Sequence, residues 1–179
     1  TDSWPATYRN ASLGGSPARR LAPMTEPLRC AWAEVDLDVV RANARALASA
    51  VSPAQLCAVV KADGYGHGAV EVAEAALAGG ASWLAVALVE EGRDLREAGI
   101  AAPILVLSEP RPAAMAEVVG RRLVPTIYSL EGLDAAADAV AERGGPPVPV
   151  HLKGDTGMHR VGVDPSEATT GPWSLFAPT

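Results

Sequence analysis

The fold of this chain is indicated by one stretch, Val59-Val60-Lys61-Ala62-Asp63-Gly64-Tyr65-Gly66-His67-Gly68. The apolar run 56–60 predicts a buried strand covered on both faces, and Lys61 follows it directly. The three glycines predict a tight turn with positive φ angles that a ligand can approach closely. A lysine in this position is suited to form a Schiff base with a carbonyl compound or with pyridoxal phosphate. The alternative is a strand-end lysine that only pairs with a carboxylate such as Asp63.

Strands and helices alternate on both sides of this stretch, as apolar periodicity and turn residues indicate. The predicted strands cover residues 33–37, 56–60, 83–86, 104–107, 123–127 and 148–152. The predicted helices cover residues 38–51, 69–77, 89–98, 112–119 and 129–142, with Asp38 and Ser129 as caps. Such alternation is typical of βα units in a parallel sheet. A closed barrel takes roughly 250 residues, so about five units predict an α/β fold that is either a small open sheet or an incomplete (β/α)8 TIM-type barrel.

Composition excludes several classes of function. The 179 residues carry a net charge of -6, which argues against nucleic acid or an anionic membrane as the main partner. Hydrophobic residues make up 49% of the chain, enough for a packed core, and only 4% are aromatic, which weakens any base-stacking role. No apolar stretch is long enough to span a membrane. We therefore expect a globular protein with a packed core whose main partner is neither nucleic acid nor an anionic membrane.

The two cysteines, Cys30 and Cys57, have no metal-ligand spacing, and we expect Cys57 to be a small core residue. The absence of a disulfide framework and of a secretory segment favours a cytoplasmic location. We expect residues 1–30 to be a disordered amino-terminal extension and residues 31–167 to be the partial barrel. Residues 168–179 lack any period and are expected to be irregular, either as a frayed end or as an out-of-frame tail.

A second stretch has the same arrangement as the first, an apolar strand that ends on a lysine and is followed by a glycine-bearing loop. In Val-His-Leu-Lys-Gly-Asp-Thr-Gly-Met-His-Arg-Val-Gly, residues 150–162, an apolar strand delivers Lys153 and a glycine-bearing loop delivers Arg160. Arginine suits bidentate recognition of a carboxylate. Lys153 and Asp155 could instead pair with each other, and we expect His151 and His159 to be structural. Two lysines at strand ends and one arginine on the same face favour an anionic ligand that carries a carboxylate, a phosphate or both.

Both stretches resemble the motifs of bacterial alanine racemases, which are fold-type III pyridoxal-phosphate enzymes. Residues 60–68 resemble the cofactor signature, and residues 151–162 resemble the second motif of that family. Trp32-Ala33-Glu34-Val35-Asp36-Leu37 and Asn43 also fit its amino-terminal pattern. The similarity runs from about residue 30 to residue 165 and covers the amino-terminal portion of the family's barrel. The resemblance implies that the carboxyl-terminal β domain of the family is absent here.

The resemblance also implies a set of roles. Lys61 would carry pyridoxal phosphate and act as one of two catalytic bases in the interconversion of L-alanine and D-alanine. Tyr65 would contact the cofactor phosphate, and Leu107 would line the pocket. Arg160 would bind the substrate carboxylate near the phenolic oxygen of the cofactor. Lys153 would match a lysine that is carbamylated in some members and that orients the arginine. Members are cytoplasmic homodimers that supply D-alanine for peptidoglycan, and no metal is implied.

The family's second catalytic base is a tyrosine of the carboxyl-terminal half, which the partner subunit contributes. We therefore expect this chain to be a truncated product that is inactive alone. A serine or broad-specificity racemase, or a related decarboxylase, would keep the fold and the cofactor with another substrate. A non-catalytic fragment and an aldolase that uses Lys61 without a cofactor are the remaining alternatives.

Overall fold

The computed structural model describes residues 33–144 and 146–167. The helices are α1 (Leu37–Val51), α2 (Lys61–Gly66), α3 (Ala69–Ala78), α4 (Val89–Glu97), α5 (Met115–Gly120) and α6 (Leu130–Arg143). The strands are β1 (Cys57–Val59), β2 (Trp83–Val86), β3 (Ile104–Val106), β4 (Val124–Ile127) and β5 (His151–Leu152). A 3₁₀ turn, Pro112–Ala114, leads into α5. The expectations for residues 1–30 and 168–179 lie outside the described residues.

The five strands form one parallel sheet in the order β1-β2-β3-β4-β5. Each strand therefore pairs with the next strand along the chain, and the order never reverses as it does in a doubly wound sheet. Crossovers between parallel strands are almost always right-handed, so an unreversed order places the intervening helices on one face. The topology is that of a barrel segment, which decides between the two architectures that the sequence allowed.

The core lies around the central strands. All four residues of β4 are buried, and so are three of the four in β2, because helices cover one face and the curved interior the other. The largest fully buried side chains include Leu84, Ile104, Met115, Leu123 and Ile127. Full burial of such a side chain stabilises a fold by about 1.5–3 kcal/mol. This apolar layer fixes where each strand ends, and hence where the residues after the strands lie.

Strand β1 differs from the prediction. Its residues are exposed, half-buried and exposed in turn, with Val59 41% exposed. Within the described chain β1 has a neighbour on one side only, since it pairs with β2 alone. The prediction that both faces are covered is therefore wrong for this strand. Cys57 is exposed on β1 and is not a core residue.

Two element boundaries also depart from the prediction for local reasons. Residues 33–36 form no strand, because the Asp36 side chain accepts hydrogen bonds from the N–H groups of Asp38 and Val39 and starts α1 there. The fifth strand begins at His151 rather than at residue 148, since Pro149 has no N–H to give to a ladder. The predicted cap at Ser129 is confirmed, because its side chain accepts the N–H of Gly132.

One arginine ties the loops at the amino-terminal ends of the strands. Arg96, on α4, is half-buried and donates hydrogen bonds of 2.7–3.0 Å to four backbone carbonyls, those of Ile100, Ala102, Arg121 and Arg122. These carbonyls precede β3 and β4, so the guanidinium holds two loops together. This end of the sheet is thus stabilised structurally, and the opposite end carries the cavity described next.

Candidate active site

A cavity of about 500 Å³ lies at the carboxyl ends of the strands, and every strand contributes to it. Three of the sequence-predicted residues line it within two residues of the end of a strand, namely Lys61 after β1, Leu107 after β3 and Lys153 after β5. Arg160 reaches it from the loop beyond β5. The remaining lining residues are Ala87, Ser108, Thr126, Tyr128, His151, Leu152 and Val161.

The charge of the cavity is opposite to that of the chain. It is lined by two lysines and one arginine and by no aspartate or glutamate. Lys61 and Lys153 are the only lysines of the whole sequence, whose net charge is -6. Within the described residues neither lysine forms an ion pair. Cations that gather without acidic partners attract an anion.

The structure excludes the two alternatives in which Lys61 and Lys153 pair with the nearby aspartates Asp63 and Asp155. The Asp63 carboxylate accepts the N–H of Ala69, the first residue of α3, at 2.9 Å. The Asp155 carboxylate accepts the N–H groups of Gly157 and His159, each at 3.0 Å. Both aspartate carboxylates therefore bind backbone N–H groups and not the two lysines, which line the cavity.

The segment after Lys61 is a left-handed turn. Ala62, Asp63, Gly64 and Tyr65 have φ between 52° and 61° and ψ between 36° and 52°. The positive φ predicted for the glycines is confirmed at Gly64, Gly66 and Gly68, and Ala62, Asp63 and Tyr65, for which no such prediction was made, share it. An L-residue in this conformation costs about 1–2 kcal/mol, so the turn needs specific interactions to hold it.

Tyr65 lies at the exit of this turn and outside the cavity lining. Its side chain is 59% exposed, and the centroid of its ring is 6.0 Å from Lys61 Nζ. The ring thus borders the lysine on the solvent side. The predicted contact between Tyr65 and a cofactor phosphate stays a prediction.

The loop that carries Arg160 is anchored at both ends. The N–H of Lys153 donates to Ile127 O at 3.0 Å, and the N–H of Val163 donates to Lys153 O at 2.8 Å. The hydrogen bonds from the N–H groups of Gly157 and His159 hold the pKa of Asp155 below its usual value. Arg160 itself is exposed and donates to the Met158 sulfur at 3.1 Å. Its guanidinium can therefore turn toward a ligand without breaking an ion pair.

Sequence reasoning missed several residues of the site. Thr126 lies within β4 and is 5% exposed, and no hydrogen bond of its hydroxyl occurs within the described residues. A polar residue inside an apolar strand was the available signal. Ser108 and Tyr128 follow their strands and line the cavity. His151, which was expected to be structural, lies in β5 and also lines the cavity. Two glutamates, Glu91 and Glu109, bind backbone around the site and carried no motif.

Two classes of site find no support in the described part of the chain. No group of three or more metal-ligating side chains occurs there. Likewise, no described helix combines the length and apolar character that crossing a bilayer requires.

A family model described as "Alanine racemase, N-terminal domain" matches residues 35–172. The alanine racemase of Desulfovibrio desulfuricans is 48% identical over 141 residues, which cover 78% of this chain and 38% of that protein. The alanine racemase of Symbiobacterium thermophilum is 51% identical over 140 residues, which cover 78% and 37%. The chain thus spans little more than a third of the length of these curated relatives.

Solved structures give the same result for the fold. Alanine racemase from E. faecalis superposes with a TM-score of 0.68 at 41% identity, over 72% of this chain and 35% of that chain. Alanine racemase from Bacillus anthracis with bound L-Ala-P gives a TM-score of 0.71 at 36% identity, over 80% and 36%. The five-stranded sheet thus corresponds to a portion of a larger barrel.

Proposed function

Because this chain belongs to the alanine racemase family, we propose that it carries the cofactor-anchoring face of a pyridoxal-phosphate-dependent racemase that interconverts L-alanine and D-alanine. The observation that carries the proposal is the convergence of Lys61, Lys153 and Arg160 on one cavity without carboxylates. A lone strand-end lysine would be compatible with many roles. Both lysines of the chain and an arginine at one cavity favour an anionic ligand with a reactive carbonyl.

The residues of the cavity fit pyridoxal phosphate. A volume of about 500 Å³ lies within the roughly 300–1,000 Å³ of cofactor and ligand sites. The three cations can neutralise a phosphate and a carboxylate, and an amine is available for the aldehyde. The buried Thr126 hydroxyl, which has no partner within the described residues, supplies a polar group that a ligand could satisfy.

In the proposed reaction the chain's residues bind, orient and transfer protons. Lys61 would hold the cofactor and, once released by substrate, would exchange a proton with Cα on one face. Pyridoxal phosphate supplies the delocalisation that makes this proton removable. Arg160 would bind the substrate carboxylate, oriented by Lys153, and Leu107 would pack beside the cofactor. Tyr65 would bind the phosphate, for which its position beside Lys61 is suited.

Because the chain spans little more than a third of its relatives' length, its substrate, assembly, location and biological role are proposals as well. We propose alanine as the substrate, homodimeric assembly, a cytoplasmic location and a role in supplying D-alanine for peptidoglycan. We also propose that residues 31–167 form the barrel unit. The relatives' names support alanine as the substrate, and the motif resemblance implies the assembly, the location and the biological role.

The test is to load the purified chain with pyridoxal phosphate, to record its visible absorbance, and to fix the adduct with borohydride for peptide mapping. We expect a band in the wild type, modification at Lys61, and loss of both in Lys61→Ala. Lys153→Ala is the matched control and should keep modification at Lys61. An unchanged band in Lys61→Ala would overturn the assignment. Titration of the band with alanine and with serine tests the substrate, and a response to serine alone would contradict alanine.

A further inference from the structure

We propose that Glu91 is a positioning residue that holds Lys61 at the cavity, an inference that rests on the proposed function for its catalytic meaning. One carboxylate oxygen of Glu91 accepts the N–H of Ala62 at 2.6 Å. The other accepts the N–H of Ala87 at 2.7 Å and the N–H of Leu88 at 3.0 Å. A single side chain thereby joins the segment after β1 to the segment after β2.

The carboxylate is itself rigidly placed. Glu91 lies in the first turn of α4, whose residues Val89, Gly92 and Leu95 are buried. A Cβ atom at Gly92 would lie 2.9 Å from a methyl group of Leu123, so the helix is packed closely against the core. The Glu91 side chain therefore extends from an element that cannot easily shift. A site built on such an element is held more accurately than one built on a loop.

The hydrogen bond to Ala62 acts on the peptide unit that carries Lys61. The nitrogen of Ala62 is bonded to the carbonyl carbon of Lys61. A hydrogen bond to this N–H therefore fixes the orientation of the planar peptide group between the two residues. Ala62 is also the first residue of the left-handed turn, with φ 52°. Its conformation is unfavourable for an L-residue. Without the carboxylate, relaxation of Ala62 to negative φ would rotate this peptide and move the Lys61 side chain.

Other hydrogen bonds hold neighbouring residues of the turn and do not involve the N–H of Ala62. The N–H of Gly64 donates to Val60 O at 2.9 Å, and the N–H of Gly68 donates to Asp63 O at 2.8 Å. Strand β1 is in register with β2 up to its end, where the N–H of Val60 donates to Ala85 O at 2.8 Å. The ordered strand therefore stops one residue before Lys61. Glu91 is the side chain that extends this order across Lys61.

The chain offers a direct readout because it has only two lysines, both at the cavity. Trace acetylation with acetic anhydride, followed by mass spectrometry, gives the ratio of Lys61 to Lys153 reactivity without any cofactor. We expect Glu91→Ala to change this ratio at least about threefold. We also expect hydrogen exchange of the Ala62 amide to become about tenfold faster, which corresponds to about 1.4 kcal/mol. Borohydride fixation of pyridoxal phosphate should then modify Lys61 less relative to Lys153.

Two controls separate positioning from general stability. Glu90→Ala removes the same charge from the same turn of α4 at an exposed residue and should leave both readouts unchanged. Glu109→Ala removes an equivalent backbone-binding carboxylate, which ties the N–H groups of Tyr128 and Ser129, and should leave the Ala62 amide unaffected. If Glu91→Ala fails to fold, Glu91→Gln carries the test, since one amide oxygen keeps part of the contact and an intermediate effect is expected.

The proposal fails if the Glu91 variants match Glu90→Ala in both the lysine ratio and the exchange of the Ala62 amide. It also fails if Glu109→Ala changes these readouts as strongly, because the effect would then report lost stability. Failure of the wild type to bind pyridoxal phosphate at Lys61 would overturn the proposed function instead. Acetylation and hydrogen exchange would still decide the role of Glu91 in that case.

Discussion

Replacement of Gly132 by alanine tests how Glu109 holds the strand ends on the far side of the cavity. The Glu109 carboxylate accepts hydrogen bonds from the N–H of Tyr128, from the N–H of Ser129 at 2.9 Å, and from the Ser129 hydroxyl. Ser129 in turn caps α6 by accepting the N–H of Gly132 at 3.0 Å. A Cβ atom at Gly132 would lie 2.7 Å from Glu109 Cδ. The absence of a side chain at Gly132 therefore makes room for the Glu109 carboxylate.

The expected magnitudes follow from these contacts. Hydrogen bonds to a charged group contribute about 1.5–3 kcal/mol each, and water replaces part of this at a half-buried site, so Glu109→Ala should cost about 2–4 kcal/mol. Gly132→Ala alone should cost about 1–3 kcal/mol, because the new methyl group displaces the carboxylate. With Glu109 already replaced, the same substitution should stabilise α6 by up to about 1 kcal/mol. The coupling energy of the pair should thus be about 1–4 kcal/mol.

The assay is urea unfolding of the wild type, both single variants and the double variant, followed by far-ultraviolet circular dichroism. Glu131→Ala is the matched control, since Glu131 is an exposed glutamate in the first turn of α6. Independent sites are additive to within about 0.5 kcal/mol. Equal effects of Gly132→Ala in the two backgrounds would refute the reasoning.

Three further predictions concern the loops and one helix contact. Asp63→Ala should lower the free energy of unfolding by about 1 kcal/mol in urea, because the side chain caps Ala69; Asp63→Asn should cost less. The lowered pKa of Asp155 means that its contribution to stability is complete above the ordinary aspartate pKa and is lost as pH falls through the lower folded-state pKa. Amide exchange of residues 157–159, corrected for the intrinsic exchange rate, should therefore accelerate only below the ordinary aspartate pKa, and Asp155→Asn should abolish this step. Gly79→Ala should destabilise by about 1–3 kcal/mol, since its Cβ would lie 2.5 Å from a backbone oxygen of α1. Gly120→Ala, with no atom within 4 Å, should stabilise by up to about 1 kcal/mol, and equal signs in thermal unfolding would contradict the packing argument.

Local patterns predicted most of the elements well. The strand 83–86 matches β2, and the cap at Ser129 begins α6 as predicted, whereas α1 is capped by Asp36 and not by the predicted Asp38. The prediction of an incomplete α/β barrel is confirmed by the unreversed strand order and by the likeness to alanine racemase structures. Errors occurred where a residue's environment depends on its neighbours in space. Cys57 and Val59 are apolar enough for a core, but they lie on an edge strand.

The residues of the candidate site also divide into those that local sequence predicted and those that only the folded structure reveals. Lys61, Leu107, Lys153 and Arg160 were predicted from the ends of apolar runs and from motifs, and the structure brings all four to one cavity. Thr126 was overlooked, because a threonine in a strand is common, and only folding shows that its hydroxyl is buried without a partner among the described residues. The roles of these residues in catalysis stay predictions.

The sequence by itself determined the alternation of strands and helices, the identity of the strand-end cations and the family of the chain, because apolar period, turn residues and motifs are local properties. Tertiary structure alone decided which backbone each carboxylate binds. Asp63 is close to Lys61 in sequence but caps α3, whereas Glu91, 29 residues from Ala62, binds the peptide next to that lysine. Sheet pairing brings the ends of β1 and β2 together, so this contact between residues distant in sequence exists only in the folded chain.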